Sequence, residues 1–317
     1  MGLSVISPGA LSSFQDLGRH THQHVGVSVG GAMDALAHRV ANILVGNPED
    51  LATLEVTLTG PVLAFDQAVV LAVAGADLSP MVDGWPVSTG RAFEVPAGGQ
   101  LSFGQRRQGA RAYIAVAGGY DIPAVLDSAS TALMMGFGGF QGRSLRKGDH
   151  IALRPHPAGA PPLPPDAADL RELLALHHDP DAFIRITPGT HWHAFSDQAR
   201  GRLFSEPYTV LAQSNRMGYR LQGPALSLTR ALEVISEPVR FGTIQVPADG
   251  QPIVLMADRQ TVGGYPKLAE VITVDLPRLA QCMPGEAIRF ELIDVPSAQR
   301  LYLTREDALA VLARSGT

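Results

Sequence analysis

Between Ser214 and Asp275 the chain sets arginines, carboxamides and carboxylates among glycines, in SNRMGYRLQGP, GTIQVPADGQPIVLMADRQTVGGYP and VITVDL. Apolar alternation breaks off there repeatedly into loops, where binding and catalytic groups tend to sit. Arg216, Arg220 and Arg259 each offer a planar fork of donors that matches a carboxylate or a phosphate. Asn215, Gln245 and Gln260 can both give and accept hydrogen bonds, as an amide or lactam ligand requires. Gly263 and Gly264 permit close backbone approach or a positive φ. Tyr265 beside them either stacks on a ligand or packs half-buried. Asp258 and Arg259 directly follow an apolar strand, which sets the pair at a loop mouth. Near the start, SSFQDLGR supplies Gln15, Asp16 and Arg19. Asp16 and Arg19 are read either as functional groups or as a turn closed by a surface ion pair. The chemistry implied is recognition of a polar, anionic small molecule on loops of a β-rich scaffold.

Other chemistries find less support. There is no GxxxxGK[ST] phosphate loop and no GxSxG elbow. The chain has two lysines, Lys147 and Lys267, neither in a setting like that of biotin attachment. His20, His22 and His24 alternate, as do His191 and His193, so each set is expected to share one face of a strand. Neither set has nearby cysteines or further ligands to complete a zinc shell, so no metal site is expected.

The elements that must position these groups are mostly strands. Ala68 to Ala76, Ala110 to Gly119, Pro252 to Asp258 and Glu270 to Leu276 are short apolar or β-branched runs bounded by Gly, Asp or Pro. Thirty-three glycines and 24 prolines supply the turns of a barrel or sandwich. Helices are few. Asp34 is expected to cap ALAHRVANILVG, with Leu36, Val40, Ile43 and Leu44 on one stripe and Gly46 as the stop. Asp275 is expected to cap LPRLAQ, and Thr304 with Asp307 to open a C-terminal helix through Leu309 and Leu312.

Six prolines between Pro155 and Pro165 read as a stiff connector, followed by a short helix in DAADLRELLALHH. The expected division is a β domain over 1–154, a linker over 155–180 and a second β domain over 181–317. Echoes in the same order support duplication: VISPG with ITPG, LTGPVLAF with LQGPALSL, and VPAGGQLSFG with MPGEAIRFEL. The length of 317 residues exceeds what one core usually serves. A net charge of −5 argues against nucleic acid and anionic membranes as partners. No apolar run reaches a membrane span, and the start lacks the marks of a signal peptide. The single cysteine, Cys282, fits a reducing, cytoplasmic location.

These segments also carry a resemblance. PGALSSFQDLGR, GVSVGGAMD, ANILVGN, LEVTLTGP, AGAD, GARAYIAVAGGYDIP, QGRSLRKGD, SNRMGYRLQGP, SEPV, GTIQVPADGQPI and DRQTVGGYP follow one another from about Val5 to Phe290. In that order they resemble the biotin-dependent carboxyltransferase family, also called allophanate hydrolase subunit 2, and in particular the free-standing C-type subunits of 5-oxoprolinase. The resemblance implies a mainly β fold of two cyclophilin-like β-barrel domains with a few short helices. It also implies a direct partner like the B-type subunit of 5-oxoprolinase, and a second, like the A-type subunit, that binds the lactam. With these goes ATP-driven opening of 5-oxoproline to L-glutamate. ATP and its Mg would be held by the complex, with no biotin on this chain. In that scheme Arg216, Arg220 and Arg259 clamp a carboxylate or phosphate, and Asp258 or Asp16 orients a proton-transferring water or a metal. Gln15, Asn215 and Gln260 would fix the amide edge. Departures occur where relatives usually read VLGSRST: here Asp127 and Ala129 stand in place of a glycine and an arginine. GVSVGG and HTHQH also differ from the family's usual pattern. Two alternatives keep the fold: carboxyl transfer from carboxybiotin on another protein to an amide or urea-like substrate, and a non-catalytic antagonist of a sensor-kinase inhibitor.

Overall fold

The computed structural model describes residues 2–155 and 183–315. The expected linker beyond Pro155 and the helix expected in DAADLRELLALHH lie outside them. The chain divides into two compact units: Met1–Arg19, Gly30–His178 and Glu306–Thr317 form one, and His20–Val29 with Asp179–Arg305 the other. Each unit therefore takes a segment from elsewhere in the chain, which a simple division near the middle does not include. Both are built mainly of strand, as expected.

In the first unit, a six-stranded sheet runs in the order His150–Ala152 (β11), Gly2–Ser7 (β1), Val62–Phe65 (β4), Gln100–Phe103 (β9), Pro80–Val82 (β6) and Trp85–Pro86 (β7). A five-stranded sheet runs Leu11–Gln15 (β2), Thr53–Thr57 (β3), Gln108–Val116 (β10), Val69–Asp77 (β5) and Ala92–Val95 (β8). Alternation decides what lies between them, because every second side chain faces the same way. Leu3, Val5, Leu63, Phe65 and Leu101 of the first sheet pack with Phe14, Leu54, Val56, Leu71, Val73 and Ile114 of the second. The intervening residues of the second sheet face helix Ala35–Leu44 (α1). Here the sequence reading holds closely: the Asp34 carboxylate accepts the Ala37 N–H at 2.9 Å, and Leu36, Val40 and Leu44 are buried with Ala72, Ala74 and Ala115. Leu309 and Leu312 join the same cluster.

The second unit centres on an eight-stranded sheet. Its order is Ala287–Ile288 (β20), Tyr208–Val210 (β13), Gly218–Gln222 (β14), Ile253–Leu255 (β17), Thr243–Gln245 (β16), Lys267–Val271 (β19), Ile184–Pro188 (β12) and Phe290–Leu292 (β21). The strands at its two ends, β20 and β21, are separated in sequence by Arg289 alone. The sheet therefore curls until its edges nearly meet, a nearly closed barrel that leaves little exposed edge. Glu237–Pro238 (β15) and Val262–Gly263 (β18) form a separate two-stranded ribbon. Helix Asp197–Ser205 (α2) is capped by Ser196, whose hydroxyl accepts the Ala199 N–H at 3.1 Å.

Several expectations are corrected. The run Glu270 to Leu276 is not one strand: β19 ends at Val271, and the Asp275 N–H returns to Ile272 O at 3.0 Å in a turn. Ile272 N–H still reaches Arg185 O at 3.0 Å, Val274 lies in the turn, and both side chains are buried. Asp275 precedes Leu276–Gln281 (α3) but caps nothing with its side chain. Its carboxylate instead holds Arg185, at 2.9 Å to Nε and 2.5 Å to Nη2. The C-terminal helix, Val295–Ser315 (α4), starts nine residues before Thr304, whose hydroxyl donates to Arg300 O within the helix. His20, His22 and His24 lie on a single 3₁₀ turn, His20–Val25, and His191 and His193 flank Trp192 in another, so neither set shares a strand face. Among the described residues no group of three or more His, Cys, Asp or Glu is placed to hold a metal. No helix among them is long and apolar enough to cross a membrane.

Candidate functional site

Gln15, Asp16 and Arg19 come together in the first unit, where they fasten the loop from Val125 to Gly142. Asp16 Oδ1 accepts from Gly18 N–H at 2.7 Å, Ser128 Oγ at 2.8 Å and Ser130 Oγ at 2.5 Å, and Oδ2 from Ala129 N–H at 2.6 Å. Those four bonds give the carboxylate a structural task, tying the strand end of β2 to the loop. Arg19 donates to Ser130 O at 2.5 Å and lies 4.9 Å above the Phe137 ring. It is almost fully buried, so a surface ion pair does not describe it. Gln15 Nε2 donates to Ser13 Oγ at 3.0 Å and Thr131 O at 3.3 Å. The held loop is strained: Leu126 and Asp127 have φ of 53° and 60°. The left-handed turn at Asp127 accounts for the glycine usual there, and Asp is among the residues that tolerate it. Ala129, in the arginine's place, contributes its backbone N–H.

In the second unit the DRQ loop leaves β17 beside β14, and irregular pairing continues past both strand ends. Met256 N–H donates to Met217 O at 3.0 Å, and Asp258 N–H to Arg216 O at 2.8 Å. This register brings Arg216 onto Asp258, with Nε and Nη2 each 2.9 Å from a carboxylate oxygen. Both side chains are buried, so Asp258 orients Arg216 rather than standing free as a base. Asn215 is exposed, its Oδ1 closing a turn on Met217 N–H at 2.8 Å, and Arg220 is exposed on β14. Gln260 is half-buried, and Tyr265 and Gly264 are exposed. Gly263 lies close to a side chain: a Cβ there would stand 2.5 Å from Gln245 Nε2, so a larger residue would push that carboxamide aside. The glycine thus admits a protein carboxamide. Tyr219 is buried, and its hydroxyl reaches Ala280 O and Cys282 O at 3.4 Å, a packing role.

Arg259 differs from the other arginines. It is 7 % exposed, yet its hydrogen bonds are long, to Val239 O at 3.5 Å and Ala257 O at 3.4 Å. Its guanidinium lies 6.0 Å from the Phe241 ring. Burial pulls its pKa from 12.5 down to about 10, against the attraction of Glu270 and Asp258. Such a group lacks a strong acceptor.

Around it, β16 and β19 present a polar set that the strand pattern hid. Thr243 pairs with Glu270 across the strands, and Gln245 with Lys267 after a bulge. Thr243 Oγ1 donates to Glu270 Oε2 at 2.8 Å, and burial raises the pKa of that carboxyl. Lys267, Gln245 and Thr243 are all buried. The alternation of Thr243 with Gln245 was the available signal. Glu270 lay within a run read as one strand, and Glu237 stood only within the SEPV segment of the resemblance, with no role read for it.

A family model described as "Carboxyltransferase domain, subdomain A and B" matches residues 25–292. The chain belongs to the carboxyltransferase domain family. This carboxyltransferase-family chain is 37% identical to the 5-oxoprolinase C subunit of Haemophilus influenzae over 98% of each chain. It is 38% identical to the Escherichia coli protein of the same name, over 91% of this chain and 90% of that one. Among solved structures, the Kluyveromyces lactis urea amidolyase superposes with a TM-score of 0.91 at 31% identity. The match covers 98% of the carboxyltransferase-family chain but 20% of that longer one. The likeness therefore concerns one region of a larger enzyme.

Proposed function

We propose that this protein is one component of a cytoplasmic, ATP-dependent 5-oxoprolinase that opens 5-oxo-L-proline to L-glutamate together with A-like and B-like partner subunits. The observation that carries the reading is Arg259, a buried guanidinium with long bonds at the mouth of the DRQ loop. An anionic ligand reaching it gains charge-assisted bonds in a site of low dielectric, where they are strongest. The substrate carboxylate, or the oxygen of the lactam as it gains negative charge, suits those donors. Gln245 and Gln260 supply the give-and-take that an amide edge needs. Near-full-length likeness to proteins named as C subunits of 5-oxoprolinase supports the substrate.

ATP would supply the driving force for breaking amide resonance. The residues present do not suit a triphosphate: there is no phosphate loop, Lys147 is exposed and Lys267 is buried against Glu237. We assign ATP and its Mg to the partners, and no biotin to this chain.

Glutamate release from 5-oxoproline with ATP tests the reading, comparing this chain alone, with the B-like partner, and with both partners together. Turnover needing all three proteins is expected, with Arg259→Ala lowering it by roughly 10²- to 10³-fold. A stable complex without turnover would overturn the substrate assignment. A second reading, carboxyl transfer from carboxybiotin carried by another protein, is favoured by the structural likeness to urea amidolyase. It predicts that a carboxybiotin donor, in place of ATP alone, supports reaction.

A further inference from the structure

The segment from Glu237 to Phe241 lies against two of the buried cations of the second unit, Lys267 and Arg259, at consecutive positions. Pro238 O accepts from Lys267 Nζ at 3.1 Å, and the next carbonyl, Val239 O, accepts from Arg259 Nε at 3.5 Å. Glu237 Oε1 stands 2.9 Å from Lys267 Nζ and 3.9 Å from His191 Nε2. That oxygen is buried and makes no directed hydrogen bond, although it lies close enough to Lys267 for an ion pair. His191 is itself engaged, its Nδ1 accepting the Lys267 N–H at 3.1 Å. Two cations thus bond to successive carbonyls of one segment, and both act on the Glu270 carboxyl. One meets a carboxylate in an undirected contact and the other only carbonyls at the limit of bonding. Such contacts are readily exchanged for a better acceptor.

We propose that Lys267 is the second cation of the Arg259 anion site, and that Glu237 with the Pro238 and Val239 carbonyls stands in for the anion until a ligand displaces them. This inference rests on Arg259 being the anion-binding group of the function proposed above. The ribbon of β15 and β18 supplies the means: Glu237 pairs with Gly263 and Pro238 with Val262, and Val239 N–H donates to Thr261 O at 3.2 Å, so the segment is a narrow two-stranded strap. Ile235 on one side of it is 90 % exposed and Val262 48 %. Val239 is the one buried side chain of residues 235–241, so a single apolar anchor holds the strap, which marks a segment able to open locally. Lys267 is the only buried lysine of the two in the chain. An internal acceptor that fills the site most of the time weakens apparent affinity by the fraction of time the site is free.

Calorimetric titration of the full chain with 5-oxo-L-proline, and separately with bicarbonate, tests this. Glu237→Gln keeps the shape and removes the competing charge, so it is expected to tighten binding of at least one probe by about three- to tenfold. Lys267→Met is expected to weaken it roughly tenfold or more, and Lys267→Arg to restore most of the loss. Amide exchange in residues 235–241 is expected to rise when the probe binds. If Arg259→Gln weakens binding while Glu237→Gln leaves it unchanged or weaker, the stand-in role is overturned and the Arg259 site survives. If Arg259→Gln binds as tightly as the unaltered chain, both readings fall. Absence of binding to Glu237→Gln by either probe also overturns the proposal. Any purely structural role for Glu237 predicts a lower melting temperature and no gain in affinity.

Discussion

Arg216 and Arg259 both reach the loop that follows β17, with opposite consequences for replacing them. Arg216 is gripped by Asp258 at two points, and both are buried. Arg216→Met therefore strands a carboxylate away from water and is expected to cost about 3–5 kcal/mol in urea unfolding. Arg259→Gln removes a charge that burial already disfavours, and its loss is expected to change stability by less than about 1 kcal/mol. An equal loss in the two variants would contradict this division of labour. His38 poses the same question in terms of pH. It is fully buried with Nδ1 2.8 Å from Thr53 Oγ1, and burial pulls its pKa from 6.5 to about 4, against the attraction of Asp16 and Glu55. The unfolded chain then binds more protons between those values, so stability falls as the pH drops from about 6.5 towards about 4. The full drop is on the order of 3 kcal/mol. Urea midpoints at pH 7.5 and 4.5 should show it, and His38→Asn should flatten the slope.

Elements whose signals were local could be read from the chain, and those that answer to distant partners could not. Helix α1 carries its cap, its stripe and its stop within a dozen residues, and all three were legible. Asp275 also precedes a helix, yet Arg185 claims it from 90 residues away. Asp275→Ser separates the two roles, because serine caps as well as aspartate but cannot hold a guanidinium. A loss of about 3 kcal/mol or more in urea unfolding is expected, and a neutral result would restore the capping role. The DRQ loop was legible as a site for similar local reasons. Which arginine the loop leaves available was not, since that depends on Met217 and Met256 aligning two strand ends. The strap was hidden for another reason. Glu237 and Pro238 look like loop residues until the Lys267 ammonium is seen beneath them.

Across the whole molecule, sequence order and unit membership diverge. Residues from Glu306 onward belong to the first unit, where Leu309 and Leu312 pack with the α1 stripe and Glu306 meets Arg39 at 2.8 Å. Leu309→Ala is expected to cost about 2–5 kcal/mol, since it opens a cavity in a fully buried cluster. The loss should appear in the first unit's protection from amide exchange, with the barrel of the second unit largely unaffected. A fragment of residues 1–154 should show the same weakness more strongly, and fusing residues 306–317 to its end should relieve it.

The same arrangement sets a clock on biosynthesis. Helix α1 is finished once Leu44 has been made, but its apolar stripe has no Leu312 to meet until almost the entire remaining chain has been translated. At about 5–20 residues per second, that is an interval of roughly 13 to 54 seconds on the ribosome. A nascent chain whose stripe is covered by Ala72, Ala74 and Ala115 but not yet by Leu309 and Leu312 keeps an apolar edge open for that long, and is a natural client for chaperones. Slowing translation late in the message should raise its aggregation more than slowing it early.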